Sequence, residues 1–187
     1  MLRQRFQFLV AVHNFFLRDG QVLLLRRAHT GYMDGYWSVP AGHVDGAESI
    51  AEAAAREAQE EVALKIKVRQ PAHVMHRICS PSEERIDFFF LLKNWSGQFR
   101  NNEANKCTAV QFFPLEYLPD KMVPYVRFAL GQILAGKKFS EFIEPTTENW
   151  APEFCWPFLA DWADRHFAKS SPSGGQKPEK FLLSDRH

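Results

Sequence analysis

Residues 42–64 read GHVDGAESIAEAAAREAQEEVAL, and the reading of this stretch decides the fold. Ser49 and Glu52 have the S-x-x-E spacing of a capping box, so a helix is expected from Ile50 to about Val62. At 100° per residue, Ala51, Ala54, Ala55, Ala58 and Val62 share an arc of about 100°. Such a stripe of small side chains lets the helix lie close to a sheet. Glu57, Glu60 and Glu61 fall on the neighbouring arc at i, i+3 and i+4, where their carboxylates converge. Like charges at this spacing repel, and a hard divalent cation such as Mg²⁺ compensates them well. A solvated acidic face would carry the same three glutamates. The preceding loop tips the balance toward chemistry. Gly42 follows the constrained Val39-Pro40-Ala41 turn, where a backbone carbonyl can approach a metal. Glu48 precedes the cap, and Arg56 lies among the glutamates, able to hold carboxylates in bidentate pairs.

Around this helix, strands and helices alternate, which implies an α/β sandwich. Phe6–Leu17 and Val22–Leu25 read as strands joined by an Asp19-Gly20 turn. Val68–Ile78, Ile86–Leu92 and Val110–Phe113 are further extended runs, and a second helix is expected over about Val123–Leu134, stopped by Gly136. The chain divides into a domain over 1–136 and a C-terminal extension over 137–187. In the extension, an aromatic segment at about 150–167 is expected to be helical. The Ser/Gly/Pro/Lys-rich stretch after it is expected to be disordered. Of the 187 residues, 45% are hydrophobic and 17 are Phe, which excludes wholesale disorder. Lys+Arg at 23 and Asp+Glu at 22 leave a net charge of +1, so no whole-chain case arises for a nucleic-acid polymer or a membrane surface. Three scattered cysteines without CxxC spacing, and no long apolar span, point to a cytoplasmic protein with reduced thiols.

Written as a pattern, the quoted stretch is Gly42, five residues, Glu48, seven residues, then Arg56-Glu57-Ala58-Gln59-Glu60-Glu61-Val62-Ala63-Leu64. It resembles the Nudix box of the MutT/Nudix hydrolases, G-x5-E-x7-R-E-U-x-E-E-x-G-U, in which U is a bulky apolar residue. Every charged position matches at its spacing. Ala58 stands at a bulky apolar position, and Ala63 replaces the glycine that ends the helix. If that site needs positive φ, alanine costs about 1 kcal/mol there. The resemblance covers roughly residues 5–136 and implies a Nudix α/β/α sandwich with a mixed sheet. It also implies hydrolysis of a nucleoside diphosphate linked to another group, with Mg²⁺ or Mn²⁺ as cofactor. By position, Gly42, Glu57, Glu60 and Glu61 would bind metal, while Glu48 and Arg56 would support that cluster. Glu57 or Glu103 would serve as general base, Glu103 lying in a loop where related proteins often place a further carboxylate.

The substrate is less legible. Arg26 and Arg27 end a strand leading to the site, and one of them, with Arg27 favoured, could pair with phosphate. His13, His43, His76 and Asp87 lie on segments that could edge the pocket, His43 being best placed beside Gly42. Asp120 could read a base edge, in a stretch where MutT-like proteins often use Asn. By elimination among subfamily marks, the resemblance points to a nucleoside triphosphate cleaved to monophosphate and pyrophosphate. The alternatives are a hydrolase for ADP-ribose or another nucleotide sugar, and a nucleotide-binding or regulatory module that has kept the fold. Aromatics beyond residue 136 could serve a homodimer contact.

Overall fold

Seven successive residues of the first strand, Ala11 to Leu17, are buried, a run too long for a strand with one wet face. Both faces of such a strand must be covered, and here each is covered by a helix. The computed structural model describes residues 5–80 and 82–144. Ten elements follow in order: β1 (Leu9–Arg18), β2 (Gln21–Arg27), β3 (Trp37–Ser38), β4 (Ala41–His43), α1 (Ile50–Val62), β5 (His73–Ser80), β6 (Glu83–Leu92), β7 (Cys107–Pro114), α2 (Pro124–Leu134) and β8 (Phe139–Ile143).

Asp19 and Gly20, both at positive φ, close the expected β1–β2 turn. Beyond that turn the two strands diverge. One edge of β1 is taken by β6 in parallel; its other edge pairs with β2 only at Leu17–Arg18, and with β4 at Ala11–His13. β2 is similarly split, with β7 along one edge and β3 at Leu25–Arg26 on the other. The chain from Trp37 to His43 therefore bridges a gap between two diverging strands, and Gly42 sits on that bridge. β5 and β8 extend the sheet beyond β6, with β8 parallel to β5.

Two apolar cores lie on opposite faces. Phe15, Met75 and Phe89 pack on α2 with Val126, Ala129 and Leu130. Val12, Phe16 and Phe90 pack on α1 with Ala53, Ala54, Ala58 and Val62. This is the mixed-sheet α/β/α sandwich that the resemblance implies. No helix among the described residues is long and apolar enough to cross a membrane.

Two features depart from the sequence reading, and a third expectation lies outside the described residues. The sheet does not end at residue 136, because β8 adds a strand; its FSEFI pattern is short and mostly exposed, so its apolar signal is weak. The aromatic segment expected at 150–167 lies outside the described residues. The buried face of α1 is also turned toward its glutamates: Ala53 and Glu57 are buried, whereas Ala51 and Ala55 are only partly so. This follows from α1 packing against β4 as well as β1.

The helix boundaries are well defined. Ser49 Oγ accepts from Glu52 N–H at 3.2 Å, and Glu52 accepts from Ser49 N–H at 2.8 Å, completing the capping box. At the other end Ala63 is left-handed, with φ 59° and ψ 24°. Ala63 N–H reaches Gln59 O at 3.2 Å, the bond of an αL closure, and Leu64 N–H reaches Ala58 O at 3.0 Å; a left-handed residue in such a closure is favourably glycine. The Ala63→Gly variant is therefore expected to be more stable by about 1 kcal/mol. That corresponds to a melting temperature raised by roughly 2–4 °C in a thermal denaturation series. A lowered melting temperature would show that the left-handed alanine carries no strain.

Candidate active site

Each of the three residues of β4 is held by a different side chain of α1. Ala41 N–H donates to Glu61 Oε2 at 2.8 Å. A Cβ built on Gly42 would lie 1.9 Å from Glu57 Oε1, so only glycine leaves room for that carboxylate. His43 O accepts from Arg56 Nη2 at 3.0 Å. Arg56 binds the rest of the cluster too. Its Nε and Nη2 form a fork on Glu48, at 3.2 and 2.8 Å. Its Nη1 donates to Glu57 Oε1 at 2.6 Å and to Glu60 Oε2 at 3.1 Å. Glu48 also accepts from Asp45 N–H at 2.7 Å, and its carboxyl lies below the usual range, mainly through the hydrogen bond from Arg56.

The loop carrying Glu103 is brought here by the open C-terminal end of α1. Arg100 N–H caps Val62 O, Asn102 N–H caps Glu61 O, and Asn102 Nδ2 donates to Glu60 O at 2.8 Å. These contacts satisfy helix carbonyls that would otherwise lack donors. They also place Glu103 close enough for its charge to raise the carboxyls of Glu57 and Glu61. Glu103 itself pairs with Lys106 Nζ at 2.9 Å.

Glu57 is only 8% exposed, and burial raises its carboxyl above the usual range despite Arg56. Burial, with added repulsion from Glu57 and Glu103, pushes Glu61 up to about 8. Among the described residues, no group of three or more His, Cys, Asp or Glu side chains encloses a metal position. The carboxylates are instead tied to Arg56 and to the Ala41 N–H. The donor set nevertheless suits a hard divalent cation. It consists of carboxylate oxygens beside backbone, and the burial and mutual repulsion that raise Glu57 and Glu61 are what a divalent ion would offset.

Next to β4 lies a cavity of about 490 Å³, within the range of small-molecule sites. Ala41, Gly42 and His43 line it, together with His13, the β1 neighbour of Ala41, and with Arg77 and Tyr125. Arg27 lines it as well, half-buried, with Nε donating to Tyr32 O at 2.9 Å. Arg26 is exposed, donates to Gly35 O at 3.3 Å and lies outside the lining. Asp120 is exposed just ahead of α2 and also lies outside the lining. His43 lines the cavity and meets Arg85 Nη1 at 3.1 Å. His76 faces elsewhere, paired with Glu84 at 2.6 Å.

The sequence reading did not single out Arg77, Arg85, Tyr125, Tyr32 or Glu144, all of which line the cavity. Arg77 is 3% exposed, with Nε donating to Asp87 Oδ2 at 2.6 Å and its guanidinium 3.8 Å from the Tyr125 ring centroid. A second bond joins its Nη1 to Glu144, which in turn accepts from Tyr32 Oη at 3.1 Å. A signal for it existed. Alternation puts Arg77 on the same face as His73 and Met75, and an arginine in that inward phase demands a buried acid.

A family model described as the NUDIX domain matches residues 7–130. The MutT NUDIX hydrolase from Burkholderia pseudomallei is similar over 67% of this chain and 98% of its own, at 29% identity and TM-score 0.63. A UDP-X diphosphatase shares the fold over 75% of this chain and 69% of its own, at 24% identity and TM-score 0.58. An ADP-ribose pyrophosphatase from Streptococcus suis does so over 74% and 100%, at 18% identity and TM-score 0.53.

Two outcomes follow from the geometry. In Gly42→Ala the new methyl would displace the end of a flexible side chain, not backbone, so the fold should persist while Glu57 is pushed aside. We expect Mn²⁺ affinity, read by calorimetry, to fall at least about tenfold, with the circular dichroism spectrum unchanged; undiminished affinity would separate Gly42 and Glu57 from metal binding. The second outcome concerns pH. The raised folded-state pKa of Glu61 favours the fold below its unfolded value of about 4.3, and that contribution is lost as pH rises toward 8. Metal-free Glu61→Gln should therefore melt above the parent at pH 8, with the gain shrinking toward nil by about pH 4. A gain independent of pH would contradict the burial argument.

Proposed function

The chain belongs to the Nudix family of pyrophosphohydrolases, and from that premise we propose that it is a Mg²⁺- or Mn²⁺-dependent hydrolase cleaving nucleoside triphosphates to the monophosphate and pyrophosphate. The observation that carries this reading is the junction of α1 and β4. There Gly42 is shared between a carboxylate cluster on one side and a substrate-sized cavity on the other. Glu57, Glu60, Glu61 and the Gly42 carbonyl would hold the metal. A divalent ion at such a site neutralises phosphate oxygens and lowers the pKa of a bound water.

The chain's own residues supply positioning and proton transfer. Arg56 cross-links Glu48, Glu57 and Glu60 and keeps their carboxylates registered to β4. Arg27 stands at the cavity wall, where a phosphate group would meet a fixed guanidinium. A water oxygen attacks phosphorus, and its proton passes to a carboxylate, Glu57 or Glu103. The bridging P–O bond breaks, and pyrophosphate departs with the electron pair. A carboxyl that burial raises above its usual range, as in Glu57, is a stronger proton acceptor than an ordinary one. The retention of Arg56 and all four box glutamates favours catalysis over a module that only binds nucleotide.

The test is release of phosphate or pyrophosphate from a panel of nucleoside triphosphates, ADP-ribose and UDP-sugars in Mg²⁺ buffer. Triphosphates should be preferred, with pyrophosphate as product. Glu60→Gln and Glu61→Gln should lose at least about 100-fold in rate while remaining folded. Preference for ADP-ribose or a UDP-sugar would reassign the substrate, and no turnover of any nucleotide by folded, metal-loaded protein would overturn the hydrolase reading.

A further inference from the structure

His13 occupies the middle of β1 on the α2 side of the sheet, directly beside Ala41 of β4, and is 2% exposed where it lines the cavity. Its ring stacks on Phe89 at 4.6 Å between centroids and meets the edge of Tyr125 at 5.5 Å. Nε2 lies 3.2 Å from Asp87 Oδ1. The other Asp87 oxygen takes Nε of Arg77. Burial alone would raise the Asp87 carboxyl, but the hydrogen bond from His13 and the charge of Arg77 outweigh it and keep the group ionised. An ionised carboxylate only accepts, so the hydrogen shared with it belongs to His13 Nε2. Burial lowers the His13 pKa in spite of Asp87, which leaves the ring neutral. Nδ1 then carries a lone pair, and it is a buried atom without a hydrogen-bond partner in the protein. Buried polar atoms are rarely left so.

We propose that Nδ1 of His13 is a specificity-determining acceptor for a hydrogen-bond donor, an N–H or O–H, on the nucleoside part of the substrate. Phosphate oxygens at neutral pH offer lone pairs and no donor, so this position repels the phosphate chain. Arg27, which lines the same cavity, suits it, and the two contacts together orient the substrate. Asp87 fixes the tautomer of His13, and Arg77 fixes Asp87. Arg77 is itself held by Glu144 and Tyr125. The network thus fixes which nitrogen accepts, and a substrate lacking the donor leaves that buried acceptor unpaired. This inference rests on the nucleotide reading given above.

The experiment compares kcat/KM within matched pairs that differ by one donor. GTP against ITP tests the 2-amino group, and ATP against purine riboside triphosphate the 6-amino group. CTP against 2-pyrimidinone riboside triphosphate tests the 4-amino group, and each ribonucleotide against its 2′-deoxy form tests a sugar hydroxyl. The wild type should disfavour the donor-lacking member of at least one pair by about tenfold, and the pair affected tells base from sugar. In His13→Phe, which keeps the aromatic stack, that ratio should fall to within about twofold of one. His13→Gln offers both an N–H to Asp87 and a carbonyl acceptor, and should retain part of the ratio. If His13→Phe does not fold, His13→Leu carries the same comparison. Ratios near one for every pair in the wild type, or a ratio that survives in His13→Phe, would overturn the proposal. Equilibrium binding of the same pairs with Mg²⁺ separates it from the hydrolase reading. Binding discrimination that depends on His13 without turnover sustains the acceptor and overturns the hydrolase, and turnover without such discrimination does the reverse. Neither binding nor turnover overturns both.

Discussion

Arg56 places one guanidinium between two elements that would otherwise repel or drift apart. Its five N–H groups reach Glu48, Glu57, Glu60 and the His43 carbonyl, so one side chain fixes the acidic face of α1 to the backbone of β4. Remove that charge, and Glu57 and Glu60 on the C-terminal half of α1 would be left beside Glu48 of the preceding loop without the cation that links them. The cost of exposed pairs is small, but Glu57 is buried, and a buried charge without its partner is expensive. β4 is only three residues long and cannot hold its own position by ladder bonds alone. It is placed by β1 on one side and by Arg56, Glu57 and Glu61 on the other. The cavity wall formed by Ala41, Gly42 and His43 inherits its position from this arrangement.

The local rules were readable where they are strong. The capping box set the start of α1 at Ile50, and the box pattern set its end at Val62, both as observed. The Asp19-Gly20 turn, the long first strand and α2 were equally legible, because turn chemistry and apolar runs are local signals. β8 was not, since only two of its five residues are even half-buried and its pairing with β5 spans more than sixty residues. The two-residue β3 was invisible for the same reason: a strand so short is made by its neighbours. The alanine stripe of α1 predicted close packing but missed its direction by part of a turn, because β4, and not the sheet alone, claims the face that includes Glu57.

For the site, the sequence located the carboxylates through their spacing on one helix, a relation contained within twenty residues. It placed His13 and Asp87 on segments that could edge the pocket, but did not locate the Tyr32–Glu144–Arg77–Asp87–His13 network, whose members come from five separate segments. Each member taken alone reads as an ordinary polar residue. Only the cross-strand register, with Ala11 opposite Asp87 and Asp87 opposite Met75, brings them to one wall. The division has a physical basis. Phosphate chemistry requires dense charge that one helix can supply, whereas recognition of the rest of a substrate requires a surface that only the folded sheet assembles.

The central claim is that the α1–β4 junction holds the divalent metal. Its most direct test is an anomalous difference map from crystals soaked in Mn²⁺. The account predicts a manganese peak among the oxygens of Glu57, Glu60 and Glu61 and the carbonyl of Gly42, with Arg56 withdrawn from Glu57 but still on Glu48. Manganese bound elsewhere, with Arg56 still bridging Glu57 and Glu60 in protein that turns over substrate, would contradict it.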